Sequence, residues 1–164
     1  MTALPPRVVL DTNVLIRAFL GPNGPSGTWV ELARTNKLIL CFSDEALAEL
    51  EEVIARPFIY KALGIDSVEQ HNYFLDQIAN IANLTVPTHT GFELLRDPDD
   101  EFVIDLAVSS EANYLITYDR DLLDLMTGSD IQSKQFRQEF RSLKIVRPEE
   151  FLRIVAESSL SLEP

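Results

Sequence analysis

The sequence is poor in residues that form disulfides and zinc sites: it has one cysteine, Cys41, and two histidines, His71 and His89, in 164 residues. One cysteine excludes an internal disulfide, and these three residues lack zinc-ligand spacing. The apolar neighbours of Cys41 indicate a small core residue. No apolar stretch approaches the roughly 20 residues of a membrane-spanning helix. The first seven residues lack the basic region and long hydrophobic run of a leader, so we expect a cytoplasmic protein without a membrane partner.

Basic residues are also scarce, since 14 lysines and arginines stand against 26 acidic residues and give a formal net charge of −12. A net acidic surface repels phosphates, which argues against non-specific binding to nucleic acid through overall charge. A nucleic-acid substrate would therefore need bound cations or a local basic patch. The acidity also suits a basic protein partner, or solubility alone.

The length of 164 residues and the hydrophobic content of 46% predict one domain over residues 1–164, with a core from about 7 to 156 and a short C-terminal tail. Strand-like and helix-like segments alternate, which is typical of an α/β fold with a doubly wound parallel sheet. The predicted strands are 7–11, 38–42, 84–86, 114–117 and 143–146. One predicted helix follows the first strand directly, and others cover 28–36, 43–55, two stretches within 58–83, 119–126 and 148–156. A further helix is expected to open at 97–98, with Asp97 as its cap and Pro98 at its first position. A Gly- and Pro-rich loop covers 21–27.

Four acids stand at or just after strand ends, or in the helices that follow: Asp11, Glu49, Asp100 and Asp119. In a parallel sheet all strand ends of one polarity lie along one edge, so distant residues can meet there. Carboxylate oxygens are the ligands that Mg²⁺ and Mn²⁺ prefer. A cluster of like charges needs a cation, and such a cation can activate water for attack on a phosphate ester.

Each acid has a simpler alternative explanation. Asp11 could only cap the first helix. Glu45 lies one turn before Glu49 on the same side and competes for its role. Asp100 could only offset the dipole of its helix, as its acidic neighbours do. Of Asp119 and Asp121, one is expected to cap the short helix and the other to face the metal, and we favour Asp119 for the metal.

Four segments together resemble the PIN-domain nucleases, notably the branch of toxins from bacterial toxin–antitoxin pairs. They are 9–15 (Val-Leu-Asp-Thr-Asn-Val-Leu), 43–53 with Glu49, 97–107 with Asp-Pro-Asp-Asp, and 114–122 (Tyr-Leu-Ile-Thr-Tyr-Asp-Arg-Asp-Leu). The resemblance covers about residues 8–152 and implies a three-layer α/β/α sandwich with a parallel sheet of about five strands. It also implies Mg²⁺- or Mn²⁺-dependent endoribonuclease activity on single-stranded RNA, a homodimer and a cognate antitoxin.

Residue by residue, the resemblance assigns catalytic and metal-binding roles to Asp11, Glu49, Asp100 and Asp119. It assigns supporting roles to Asn13, Ser43 and Thr117, which would orient ligands or water, and Asp97 lies near enough to assist.

The segment 128–142 is longer than the usual PIN-domain connection into the last strand. Spacings of three, four and seven place Lys134, Arg137 or Gln138, and Arg141 on one helical face, and we hypothesise that this arm contacts RNA phosphates. The alternative is an exposed amphipathic helix that packs Phe136 and Phe140.

Three other classes of protein share parts of this pattern. A haloacid-dehalogenase-like phosphatase also places Asp after its first strand, but it needs a second Asp two residues later, where this chain has Asn13. A receiver-type domain would need a phosphoacceptor Asp after strand three, and residues 84–87 offer none. A catalytically silent PIN-fold binding module would keep the fold and act through its partner.

Overall fold

The computed structural model describes residues 4–21 and 31–160, and side chains of the last helix as far as residue 158. Five parallel strands form one sheet in the order β3-β2-β1-β4-β5. They are β1 (Arg7–Leu10), β2 (Ile39–Phe42), β3 (Ala82–Leu84), β4 (Tyr114–Ile116) and β5 (Lys144–Val146). The order reverses at β1, and right-handed crossovers then place helices on both faces. The predicted α/β/α fold is confirmed.

The helices follow the strands, as the sequence predicted. They are α1 (Thr12–Leu20), α2 (Asp44–Ile54), α3 (Pro57–Ala62), α4 (Val68–Ile81), α5 (Glu101–Ser109), α6 (Arg120–Thr127), α7 (Ile131–Glu139) and α8 (Pro148–Leu160). Residues 31–34 are also helical, whereas the predicted loop at 22–27 and the predicted helix start at 28–30 lie outside the described residues. The closing helix extends past the predicted end at 156. Within the part of the chain that the structure describes, no helix is long and apolar enough to cross a membrane.

The central strand β1 explains why one edge of the sheet can carry a site. Val8, Val9 and Leu10 are buried, and β1 pairs with β2 on one side and β4 on the other. A strand covered on both faces needs this continuous apolar run. Cys41 in β2 is fully buried and confirms the expected core residue. The residues that follow β1 and β4 therefore emerge side by side at the carboxyl edge of the sheet.

Two predicted boundaries are wrong. The third strand begins at Ala82, directly after α4, and pairs from Leu40↔Ala82 to Phe42↔Leu84. The predicted strand residue Val86 lies beyond it and is 91% exposed. Residues at a sheet edge do not have to be buried, so the apolar residues within 84–86 did not mark the true position of this strand. The structure also opens the 97–109 segment with a 3-10 turn, Pro98–Asp100, so the α-helix starts only at Glu101.

Candidate metal centre

Asp11 is held in place from both sides at the end of β1. One carboxylate oxygen accepts from the Thr12 amide at 2.8 Å, and the other accepts from the Thr117 hydroxyl at 2.7 Å. Thr117 follows β4 and is fully buried, while Asp11 is only 8% exposed. Asp11 therefore caps α1, and its carboxylate also lines the crevice described below. The cap and the site role, weighed as alternatives, coexist in one residue.

Asp119 likewise has two contacts that define its position. Its amide donates to the Thr117 hydroxyl at 2.9 Å, and its Oδ1 accepts from the Asp121 amide at 2.8 Å, which caps α6. Its carboxylate also forms a hydrogen bond with the carboxyl of Asp100. The expectation that Asp119 and Asp121 would divide capping and site roles is therefore wrong. A carboxylate has two oxygens, and Asp119 uses one for the cap.

Glu49 reaches the site from α2, which Ser43 caps through a hydrogen bond from the Ala46 amide at 3.2 Å. The Glu49 carboxylate accepts a hydrogen bond from the Thr12 hydroxyl, so α1 and α2 meet at this contact. Glu45 is exposed and does not line the crevice, which decides between the two glutamates in favour of Glu49. Ser43 is fully buried, and its predicted role in orienting ligands or water stays a prediction.

Among the described residues, one compact acidic group combines Asp97, Asp100 and Asp119, each of which offers an oxygen within 4.8 Å of the others. Asp97 makes no side-chain capping bond with the turn that follows it, contrary to the expected capping role. It belongs instead to this three-residue group, whereas the sequence indicated only that Asp97 lies near enough to assist. All three side chains are half-buried and remain within reach of solvent.

The pKa values show how strongly these acids interact. The pKa of the Asp100 carboxyl is raised from 3.8 to about 8 by burial, by its hydrogen bond with Asp119, and by the charges of Asp11, Asp97 and Asp119. Burial also raises the pKa of Asp11, as do the charges of Glu49 and Asp119, against the lowering effect of its hydrogen bonds. Bringing the negative charges together therefore disfavours the ionised state, and a bound cation would relieve the repulsion.

These residues fit a hard divalent cation. Mg²⁺ binds oxygen at 2.0–2.1 Å in octahedral geometry, so two opposite ligands lie about 4.2 Å apart. The ligand oxygens of the three-residue group, all within 4.8 Å of one another, match that span with small adjustments. Asp11 and Glu49 lie across the same crevice and supply further carboxylates.

The crevice has a volume of about 450 Å³ and runs between α1 and α2. Asp11, Glu49, Asp100 and Asp119 line it. Asn13, in the first turn of α1, is exposed and also lines it. Its other side chains were not singled out in the sequence. They are the hydroxyl-bearing Thr12, the apolar residues Ile16, Leu20, Val53 and Ile59, and the basic residues Arg17 and Arg56. All four predicted acids thus share one cavity, and their roles as metal ligands stay predictions.

Arg96, which the sequence did not single out, forms ion pairs next to the site. Its guanidinium lies 2.8 Å from an Asp124 oxygen and 3.5 Å from an Asp121 oxygen, both on α6. These ion pairs join the loop that carries Asp97 to the helix that Asp119 caps. No periodicity marks Arg96, because its partners lie more than twenty residues away.

The predicted basic arm folds differently from the expectation. Helix α7 ends at Glu139, so Arg141 lies beyond it and does not share a helical face with Lys134. The partly buried guanidinium of Arg137 donates to the carbonyls of Leu125 and Gly128, each at 2.8 Å. Arg137 therefore secures the end of α6, whose carbonyls lack helical partners.

The alternative, an amphipathic helix, is confirmed. Phe136 is fully buried and stacks edge to face with Phe92 at 5.3 Å, and Phe140 packs against both rings. Lys134 and Arg141 are exposed, and their contact with RNA stays a prediction.

Comparison with known proteins places this site in a wider context. The family profile described as PIN domain matches residues 7–121, a range that contains every residue lining the crevice. The chain is also similar to an uncharacterized protein of Methanocaldococcus jannaschii, MJ1680, with 31% identity over 148 residues, which cover 89% of each chain. No solved structure matches the chain.

Proposed function

The chain belongs to the PIN-domain family, and from this membership and the acidic crevice we propose that it is a divalent-metal-dependent endoribonuclease that cleaves single-stranded RNA. The observation that carries the proposal is the convergence of Asp11, Glu49, Asp100 and Asp119 in one open crevice, with Asp97 close to Asp100 and Asp119. Family membership supports nuclease chemistry, and the resemblance to the toxin branch supports RNA as the substrate. Membership in the PIN-domain family also argues against a haloacid-dehalogenase-like phosphatase.

In this proposal the five acids hold Mg²⁺ or Mn²⁺ against the scissile phosphodiester. Such an ion, when bound, supplies an activated water and neutralises charge that develops on phosphate oxygens. The protein's own contribution is to position the ligands. Thr117 holds Asp11 and the Asp119 backbone together, Thr12 holds Glu49, and Ser43 fixes the start of the helix that carries Glu49.

Asp100 has a further role in this scheme. With a pKa of about 8 it carries a proton near neutral pH in the metal-free protein and shares it with Asp119. Binding of the cation would require that proton to leave. Asn13, exposed beside Asp11 in the first turn of α1, is placed to orient water or phosphate through its amide.

The proposal extends to biological context. We place the enzyme in the cytoplasm as the toxin of a toxin–antitoxin pair, acting as a homodimer and inhibited by a cognate antitoxin. The four motifs shared with toxins of this family support this role. An antitoxin frame next to the gene, together with relief of growth arrest when it is co-expressed, is the expected result; growth unaffected by the chain alone would contradict the toxin role.

A cleavage assay tests the enzymatic proposal directly. Purified protein is incubated with labelled single-stranded RNA in Mg²⁺ or Mn²⁺ or with chelator, beside Asp11→Asn, Asp100→Asn and Glu49→Gln. We expect metal-dependent cleavage that falls about 100-fold or more in the variants, because each removes a carboxylate that stabilises the transition state. The matched control is Glu45→Gln, on the same helix but outside the crevice, which should retain full activity.

Three outcomes would contradict this assignment. Cleavage that persists in chelator would exclude a metal-dependent reaction. Phosphate release from small monoesters without RNA cleavage would indicate a phosphatase. RNA binding without cleavage in any divalent metal would indicate the silent binding module.

A further inference from the structure

Two arginines line the same crevice as the acids, on opposite walls. On α1, Asn13, Arg17 and Leu20 lie at spacings of four and three and face the crevice. On the other wall Glu49, Val53 and Arg56 repeat these spacings, with Arg56 two residues beyond the end of α2. At 1.5 Å per residue, Arg17 lies roughly 6 Å along its helix from Asn13, and Arg56 roughly 10 Å from Glu49. Both arginines therefore lie farther along the crevice walls than Asn13 and Glu49 do.

Neither arginine neutralises the acids that it accompanies. Among the described residues, the side chains of Arg17 and Arg56 form no ion pair and no hydrogen bond, and both residues are exposed. The Arg17 guanidinium lies 4.1 Å from the centroid of the Tyr118 ring, a cation–π contact that restricts its rotamers. By contrast, Arg96 and Arg137 are both engaged with partners in the protein. The two crevice arginines keep all their donors available for an anionic ligand.

Apolar side chains also line the crevice beside the acids and the arginines. Ile16 and Leu20 lie on α1, Val53 on α2 and Ile59 on α3, and Leu20 is 43% exposed. A polynucleotide offers the matching sequence of groups, since it has phosphates at regular intervals with sugar and base faces between them. Base and sugar faces gain from apolar contact when the strand is single, because the bases of a duplex are already stacked.

We propose that Arg17 and Arg56 bind the phosphates next to the one that is cleaved, so that the crevice takes an oligonucleotide strand rather than a dinucleotide. The inference rests on the proposed function and names the substrate contacts of that same site. Guanidinium groups bind phosphate oxygens through two parallel hydrogen bonds, which suits this task better than a point charge does. With the acids neutralised by cations, these two residues supply the local basic patch that a chain of net charge −12 needs to hold RNA.

The first experiment measures steady-state cleavage by Arg17→Gln, Arg56→Gln and the double variant in Mg²⁺ or Mn²⁺. With single-stranded RNA of about twelve nucleotides we expect KM to rise about 10-fold for each arginine, with kcat within about 2-fold, because the contacts lie away from the reacting phosphate. With a dinucleotide, which has no neighbouring phosphate, the variants should cleave as fast as the wild type. Arg153→Gln, an exposed arginine on α8 outside the crevice, is the control for charge alone.

The second experiment measures binding, so that it stands without cleavage. Fluorescence anisotropy with the same RNA, at several salt concentrations in divalent metal, gives the slope of log affinity against log salt. Each lost phosphate contact on a single strand should reduce that slope by about 0.7. The rise in melting temperature caused by the divalent metal alone should be the same in wild type and variants, since the metal ligands are intact.

The outcomes separate the two proposals. If the wild type cleaves RNA but KM, salt slope and length preference of the variants equal those of Arg153→Gln, the arginine contacts are refuted and the nuclease stands. If the wild type binds RNA without cleaving it and the variants lose affinity with the smaller slope, the arginine contacts stand and the nuclease fails. If the wild type neither binds nor cleaves RNA, both fail. A variant that changes the metal response instead of the salt slope would show that the arginine only balances the acids, and would overturn the inference.

Discussion

Replacing Asp100 with asparagine should make the metal-free protein more stable at neutral pH, although the change removes a proposed metal ligand. The pKa of this carboxyl is raised from 3.8 to about 8 by burial, by its hydrogen bond with Asp119, and by the charges of Asp11, Asp97 and Asp119. The folded protein therefore holds the Asp100 proton more tightly than the unfolded chain does. Asparagine removes the ionisation and leaves a side chain of nearly the same shape.

The sign of the pH dependence follows from linkage. A carboxyl whose pKa is higher in the folded state destabilises the fold once it must ionise, so stability falls as pH rises. The effect is absent below about pH 4, grows up to about pH 8 and is complete above that, in accordance with the two pKa values of Asp100. The stability gained by Asp100→Asn should therefore increase over this range and vanish at its acidic end.

The size of the effect can be bounded. One pKa unit corresponds to about 1.4 kcal/mol, so the two pKa values set an upper limit of about 4 kcal/mol at pH 7. Asp100 is half-buried, and solvent screens part of this interaction, so we expect about 1–2 kcal/mol. In a domain of this length such a gain raises the melting temperature by roughly 2–8 °C.

The assay is thermal unfolding in chelator at about pH 4 and about pH 8, followed by titration with Mg²⁺ or Mn²⁺. Asp99→Asn, at the exposed neighbouring acid, is the matched control. We expect the Asp100 variant alone to gain stability at the higher pH, and to lose most of the stabilisation that divalent metal gives the wild type. A variant less stable than the wild type at about pH 8 in chelator, or a gain independent of pH, would refute the charge-repulsion argument.

Three further changes test the contacts around the site. Thr117→Val leaves the buried Asp11 oxygen and the Asp119 amide without their partner, so we expect a loss of about 1–3 kcal/mol in chemical denaturation. The hydrogen bond from Thr117 lowers the pKa of Asp11, so its loss should raise that pKa and move the acidic limb of the pH–rate profile to higher pH. Thr117→Ser should restore the stability and the profile, and an unshifted profile in Thr117→Val would contradict this role. Arg96→Met removes exposed ion pairs and should leave the melting temperature nearly unchanged, yet weaken divalent-metal affinity several-fold in calorimetry; Arg96→Lys should fall between, and unchanged affinity would reject Arg96 as a positioning residue. Arg137→Met should lower the free energy of unfolding by about 1–3 kcal/mol, because two helix-end carbonyls lose a charged donor, while KM for RNA stays unchanged; a raised KM would restore Arg137 to the RNA-binding arm.

Local pattern was sufficient for much of the fold. Arg7–Leu10 and Tyr114–Ile116 are dense apolar runs because their strands are covered on both faces, and they lie within one residue of the predicted bounds. The helix start capped by Ser43 was also found, because a cap is a local interaction between a side chain and the amides two or three residues on. The cap at Asp119 was not, because Asp121 was expected to cap this helix and Asp119 to face the metal. The strand at 82–84 was misplaced, because at the sheet edge its position depends on pairing with β2 more than on hydrophobicity.

The part of the candidate site that depends on strand ends was predicted from the sequence. Asp11 and Asp119 follow strands, so the topology of a parallel sheet brings them to one edge. The choice of Glu49 over Glu45, and the membership of Asp97 in the tight acidic group, depended on how α2 and the 97–100 turn are oriented. Arg137 shows the limit most clearly, because a basic spacing on a helix does not reveal that the guanidinium turns inward to carbonyls of another element.

The sequence by itself determined the alternation of strands and helices, the cap at Ser43, and the acids that had to meet, because each depends on residues close in the chain or on the general geometry of parallel sheets. Only the tertiary structure decided which oxygens lie within 4.8 Å of one another, that Arg96 joins the loop of Asp97 to α6, and that Arg17 and Arg56 line one crevice. Such contacts join residues tens of positions apart, and their distances depend on how whole elements pack, which no local spacing encodes.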